Sequence, residues 1–166
     1  LFNANETEPA RRCESCEQSW DALKKSTDSC QANLRRDPLN GCDGGAFSGP
    51  HVFIGEGTVV EDGAMIKGPA IIGKNCQIRH NAYIREHVII GDNCVIGNSC
   101  EFKNSMLFNH CQAPHFNYVG DSILGFMVHL GAGVVLSNFK SIKGNVTVEI
   151  SGRRVDTGLR KFGALL

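Results

Sequence analysis

The stretch "IIGKNCQIRHNAYIREHVIIGDNCVIGNSC", residues 71–100, decides the fold. Within it Ile72, Ile78, Ile84, Ile90 and Ile96 stand six apart, and so do Cys76, Ala82, Val88, Cys94 and Cys100. A period of six is neither the 3.6 of a helix nor the alternation of a half-buried strand. It belongs to a solenoid, in which each repeat buries its apolar face only against its neighbours. Outward from this stretch, the bulky column runs back through Ile66, Val60 and Ile54 and on to Phe102 and Phe108. The small column runs back to Ala70, Ala64 and Thr58 and on to Met106 and Gln112. One bulky and one small inward position per six residues describes a mainly β chain, a left-handed parallel β-helix. Three hexapeptides make a triangular coil of about 18 residues, and coils stack at ~4.8 Å. Bulky residues fill the prism, small ones fit its corners, and the recurring Gly and Asn serve the turns.

The chain has 166 residues, 42% of them hydrophobic, which suits one domain with a substantial core. Its 17 basic and 17 acidic residues cancel, so no overall field points to nucleic acid or an anionic membrane. No apolar run approaches the ~18 residues needed to cross a bilayer. The chain begins at Leu1 and closes on an apolar run at Leu166, as expected of a piece of a longer protein. Of its eight cysteines, Cys76, Cys94 and Cys100 fall in the small inward column and Cys111 just off it. Buried thiols behave as small hydrophobes, so a reducing, cytoplasmic compartment is the expectation.

Residues 1–50 read as a linker and a helical cap over the open end of the prism, and 51–166 as the β-helix, incomplete at its C-terminal end. In "SWDALKKS", Trp20, Ala22 and Leu23 form the apolar face of a short helix. Cys13 and Cys16 make a CxxC, with Cys30 and Cys42 downstream, but no second close pair completes a zinc site. Their role stays open. Near the other end "VTVEI" alternates, "SGRR" can turn and "KFGALL" resumes an apolar run, so a hairpin arm leaves the solenoid and returns.

The sixes fail after Phe108, where the next inward residue would be Pro114. They resume with Tyr118, Leu124, Leu130, Leu136 and Ile142, so "PHFN", 114–117, reads as a four-residue insertion. An insertion must bulge outward, which puts His115 on the surface. Lys67, Arg85 and Lys103 are spaced by one coil and stack at ~5 Å on one face. Such cations repel unless something offsets them, and either acidic neighbours or a phosphate-bearing ligand would do so. No metal site is expected: His110 and His115 are five apart, but His80 lies on another face.

The hexapeptides, "HFNYVGD" and "GAGVVLSN" together resemble the acetyltransferase domain of bifunctional UDP-N-acetylglucosamine pyrophosphorylase/glucosamine-1-phosphate N-acetyltransferase over about residues 50–166. The resemblance implies transfer of an acetyl group from acetyl-CoA to the amine of a sugar phosphate, with His115 as catalytic base. A histidine, with an unperturbed pKa of about 6.5, suits that role. It further implies that Arg85 and Lys103 bind the phosphate, that Tyr118 and Asn138 contact the amino sugar, and that Ala132 lies by the acyl donor. Lys161 matches a further substrate lysine across the arm. His129 stands where the family usually has Asn, which implies altered sugar specificity. The resemblance also implies a homotrimer with its site between subunits, further coils beyond Leu166 for acetyl-CoA, and Mg2+ only for a nucleotidyltransferase domain outside this chain. The alternative is a non-catalytic, oligomerising or regulatory β-helix of a sugar-1-phosphate nucleotidyltransferase.

Overall fold

The computed structural model describes residues 16–25 and 45–166. Three parallel sheets of six, five and four strands wall a triangular prism. Face 1 carries β1 (Phe47–Ser48), β4 (Met65–Ile66), β7 (Tyr83–Ile84), β10 (Glu101–Lys103), β13 (Tyr118–Gly120) and β15 (Val135–Leu136). Face 2 carries β2 (Val52–Ile54), β5 (Ala70–Ile72), β8 (Val88–Ile90), β11 (Met106–Leu107) and β14 (Ile123–Leu124). Face 3 carries β3 (Val59–Val60), β6 (Gln77–Ile78), β9 (Val95–Asn98) and β12 (Gln112–His115). The mainly β parallel solenoid expected from the hexapeptides is therefore the fold, and it starts at Phe47, slightly before residue 51.

The prism is filled as the columns require. Ile66, Ile72, Ile78, Ile84, Ile90, Ile96 and Phe102 are buried, and Ala64, Cys76, Ala82, Cys94 and Cys100 fill corners beside them. Each large aliphatic side chain so buried contributes about 1.5–3 kcal/mol before chain entropy is counted.

The break in the sixes has a different origin from the one expected. Up to Phe102 the coils repeat every 18 residues, as in Glu101 beside Tyr83. Beyond it they repeat every 17: Phe102 pairs with Val119, Leu107 with both Ile90 and Leu124, and Ala113 with Ile96. One residue is missing from the corner between faces 1 and 2, once before Leu107 and again before Leu124. Serines take the small inward place at this shortened corner. Ser105 Oγ lies 2.9 Å from the Lys103 carbonyl and Ser122 Oγ lies 2.8 Å from that of Gly120.

The four-residue insertion is thus corrected to two one-residue deletions. Pro114 and His115 continue β12, with His115 in register with Asn98. Asn117 is buried in a corner, and Val119 rather than Tyr118 faces inward. Cys111 joins the column of Cys76 and Cys94, whereas Met106 and Phe108 point out of the prism. Leu124, Leu130 and Leu136 line or pack against the core as expected, but Ile142 is exposed.

Met106 and Phe108 join a second apolar layer outside face 2. There they meet Ile89, Ile123, Phe162 and the buried Trp20, Ala22 and Leu23. Residues 21–25 form one turn of helix lying on this flank, not over the open end of the prism. Trp20 meets Phe162 edge-on at 6.1 Å between ring centroids. The hairpin arm is present as β16 (Thr147–Ile150) paired antiparallel with β17 (Arg153–Asp156). After it the chain rejoins the solenoid, Leu165 pairing with Ile123. Cys13, Cys30 and Cys42 lie outside the described residues.

Candidate active site

The 17-residue repeat decides which side chains meet on face 1. Tyr118 stacks above Glu101, and Gly120 above Lys103. The cation column is present, and every member has a carboxylate partner. Lys67 Nζ donates to Glu86, which also lies 3.5 Å from Arg85 Nε. Arg85 donates through a terminal guanidinium nitrogen to Glu101 at 2.9 Å. Lys103 Nζ stands 3.8 Å from Asp121 Oδ2. The hydrogen bond from Lys67 is the main cause that holds the Glu86 carboxyl below the ordinary carboxylate range. The bond to Glu101 is the main cause that raises the Arg85 guanidinium. Of the two offsets open at the level of sequence, the carboxylates are there; Arg85 and Lys103 are compensated rather than bare.

Asp121 is the centre of a wider network. It is only 5% exposed, and its Oδ1 accepts a 2.7 Å hydrogen bond from Asn104 Nδ2. Asn138 Nδ2 donates to its Oδ2, and Tyr118 Oη donates to Asn138 Oδ1 at 3.5 Å. Gly120 makes this arrangement possible: a Cβ there would lie 2.5 Å from Asn138 Nδ2 and 2.7 Å from Tyr118 Oη. Arg85, Lys103, Tyr118 and Asn138 are thereby gathered on one side of face 1 from four coils.

His115 ends β12 on face 3, just before the corner to face 1, and its side chain is exposed. The next coil passes directly beside it. Gly133 N–H donates to the His115 carbonyl at 3.1 Å, and Asn117 Nδ2 donates to the Gly131 carbonyl at 2.8 Å. Ala132, between those glycines, is exposed one coil from His115. His129 is also on face 3, bridged to Gln112. Lys161 returns from the arm to bridge Phe139, with its Nζ 6.0 Å from that ring's centroid, while Phe162 N–H donates to the Asn138 carbonyl at 3.0 Å. Lys161 and Asn138 are therefore neighbours despite the intervening hairpin.

Sequence reading missed the acidic half of the site: Glu86, Glu101 and Asp121. Glu86 was legible as the neighbour of Arg85. Counting in 18s sets Asp121 in line with Lys67, Arg85 and Lys103, so it was legible as the next position of that column; in the structure Gly120 takes the register place above Lys103 and Asp121 follows it. Among the described residues no group of three or more His, Cys, Asp or Glu side chains is placed to hold a metal ion. No helix among them is long and apolar enough to cross a membrane.

Fold and site define a hexapeptide-repeat parallel β-helix. The chain belongs to the GMPPB C-terminal domain family, whose model matches residues 66–157. It is 40% identical over 53 residues to a bifunctional sugar-1-phosphate nucleotidylyltransferase/acetyltransferase of Sulfurisphaera tokodaii, covering 32% of this chain and 13% of that protein. It is 36% identical over 61 residues to the bifunctional protein GlmU of Methanococcus vannielii, covering 37% of this chain and 14% of that protein. Among solved structures, the acetyltransferase domain of PglB from Neisseria gonorrhoeae matches with a TM-score of 0.46 and 14% identity, over 69% of this chain and 58% of that one.

Proposed function

We propose that this domain transfers an acetyl group from acetyl-CoA to the amine of a sugar phosphate resembling glucosamine-1-phosphate. The reading is supported by an exposed histidine at the corner leading into face 1, together with a network of donors and acceptors on that face. His115 lies beside the coil that carries Ala132, and Arg85, Lys103, Tyr118 and Asn138 lie around the corner on face 1. The similarity to the bifunctional sugar-1-phosphate nucleotidylyltransferase/acetyltransferase of Sulfurisphaera tokodaii supports the same class of chemistry.

The neutral amine attacks the thioester carbonyl carbon, forming the C–N bond, and the His115 imidazole takes the ammonium proton as it develops. Collapse breaks the C–S bond, and the proton passes to the leaving thiolate. Arg85 and Lys103, with Lys161 from beside Asn138, would hold the phosphate and so keep the amine in reach. Tyr118 and Asn138 would face the sugar, with His129 placed to alter which sugar fits. Backbone N–H groups of the coil carrying Ala132 would meet the developing oxyanion and the donor. The assembly is a homotrimer with the site between subunits, in the cytoplasm, where buried thiols are kept reduced. Mg2+ would serve only a nucleotidyltransferase domain outside this chain.

A second reading has its own support: a non-catalytic oligomerising β-helix, because Arg85 and Lys103 already have carboxylate partners. The test is acetyl-CoA-dependent acetylation of glucosamine-1-phosphate by the full-length protein, wild type beside His115→Ala, with sedimentation of both. A ~10²-fold or greater loss in a variant that still forms trimers is expected for a lost general base. A wild type that assembles but never acetylates would leave the scaffold reading in place.

A further inference from the structure

Asp121 accepts hydrogen bonds from Asn104 and Asn138 and forms an ion pair with Lys103. A carboxylate can only accept, so it fixes which way round the Asn138 amide lies. The amide nitrogen faces Asp121, and Oδ1 is left facing Tyr118, whose hydroxyl proton is directed to it. Both Asn138 Oδ1 and the Tyr118 oxygen therefore present acceptor lone pairs on this side of face 1. The same carboxylate is also the partner of Lys103, a candidate phosphate ligand, and lowers the positive potential that an anion would meet there.

We propose that Asp121 is the specificity-determining residue of the site. It makes the sugar end of the site an acceptor surface, matched to the hydroxyl and amine donors of an amino sugar, and it weakens capture of a bare anion at Lys103. This rests on the reading of face 1 as a sugar phosphate site. The two effects have opposite signs for two ligands. Removing the charge of Asp121 releases Asn138 to turn, which weakens binding of an amino sugar phosphate. It also releases Lys103, which strengthens binding of inorganic phosphate.

Asp121→Asn is the variant of choice. Position 121 has φ of 47°, in the left-handed region, which Asn tolerates about as well as Asp. The side chain is nearly isosteric, so the packing of the corner is kept. Asparagine can donate as well as accept, so it no longer dictates the orientation of Asn138. Glucosamine-1-phosphate and inorganic phosphate are titrated calorimetrically into wild type and Asp121→Asn in the full-length protein, with thermal melts of both. The expected result is at least tenfold weaker glucosamine-1-phosphate binding, about three- to tenfold tighter phosphate binding, and melts within a few degrees. A variant that merely loosened the fold would lose both ligands together, and that outcome overturns the proposal. Unchanged affinity for both also overturns it. If wild type binds phosphate but not glucosamine-1-phosphate, the proposed acceptor is wrong, and the phosphate arm alone decides Asp121's hold on Lys103. If wild type binds neither, the site reading and the proposal fail together.

Discussion

Gly97 is the position at which one added methyl should do most damage. It sits in β9 where the next coil brings Pro114 against it. A Cβ at Gly97 would lie 1.6 Å from the Pro114 carbonyl oxygen, 1.9 Å from its carbon and 2.4 Å from its Cα. All three are backbone atoms, so no side chain can swing aside. Gly97→Ala must part the two coils by more than an ångström or break β9 from β12. Overpacking of this kind costs about 1–3 kcal/mol, and each ladder hydrogen bond lost adds about 0.5–1.5 kcal/mol. A total of roughly 3–5 kcal/mol follows, and at about 2–4 °C per kcal/mol for a domain of this size the melting midpoint should fall by about 6–20 °C. Because His115 follows Pro114 directly, the same shift should displace the imidazole and lower any acetyltransferase activity beyond what stability explains. Gly131→Ala is the control. Nothing lies within 4 Å of the Cβ it would add and its φ is not positive, so its melt should stay within about 2 °C of wild type. Thermal melts followed by circular dichroism decide the matter. A Gly97→Ala midpoint as close to wild type as that of Gly131→Ala would refute the close approach of the two coils.

Two further outcomes can be measured alongside. The Glu86 carboxyl is held low chiefly by Lys67, so its contribution is present above the ordinary carboxylate value of 4.5 and is lost as pH falls through the depressed one. Glu86→Gln should therefore cost up to about 0.5 kcal/mol at pH 7, discounted because Lys67 is half exposed. That deficit in urea unfolding should shrink below pH 4.5; a deficit that grew in acid would contradict the pairing. The buried thiols of Cys94 and Cys100 are pushed up, the first by its sulfur neighbours Cys111 and Cys76 and by burial, the second by burial. Peptide mapping after a brief exposure to a thiol reagent should find both unlabelled in native protein and labelled in urea, and native labelling would count against their inward placement.

The columns of isoleucine and of small residues were enough, by themselves, to specify the solenoid. A period of six repeats a local requirement, one bulky and one small inward group per side of the prism, and composition carries local requirements faithfully. The hairpin arm and the return of "KFGALL" were legible for the same reason. The sequence also singled out His115, Arg85, Lys103, Tyr118 and Asn138, but not why they should meet. That depended on the stagger between coils, which no single hexapeptide encodes. One residue fewer at the corner closed by Ser105, and again at that closed by Ser122, shifts every later side chain by one position. It turns Tyr118 outward above Glu101, buries Val119 in its stead, and puts Gly120 rather than Asp121 in register with Lys103, with the Asp121 carboxylate reaching back to 3.8 Å from the lysine. A deletion in one coil acts on contacts with the coils above and below, and those contacts lie 17 or 18 residues apart in the chain. Only stacking in three dimensions brings them together, and it was stacking that paired each cation of the column with its carboxylate.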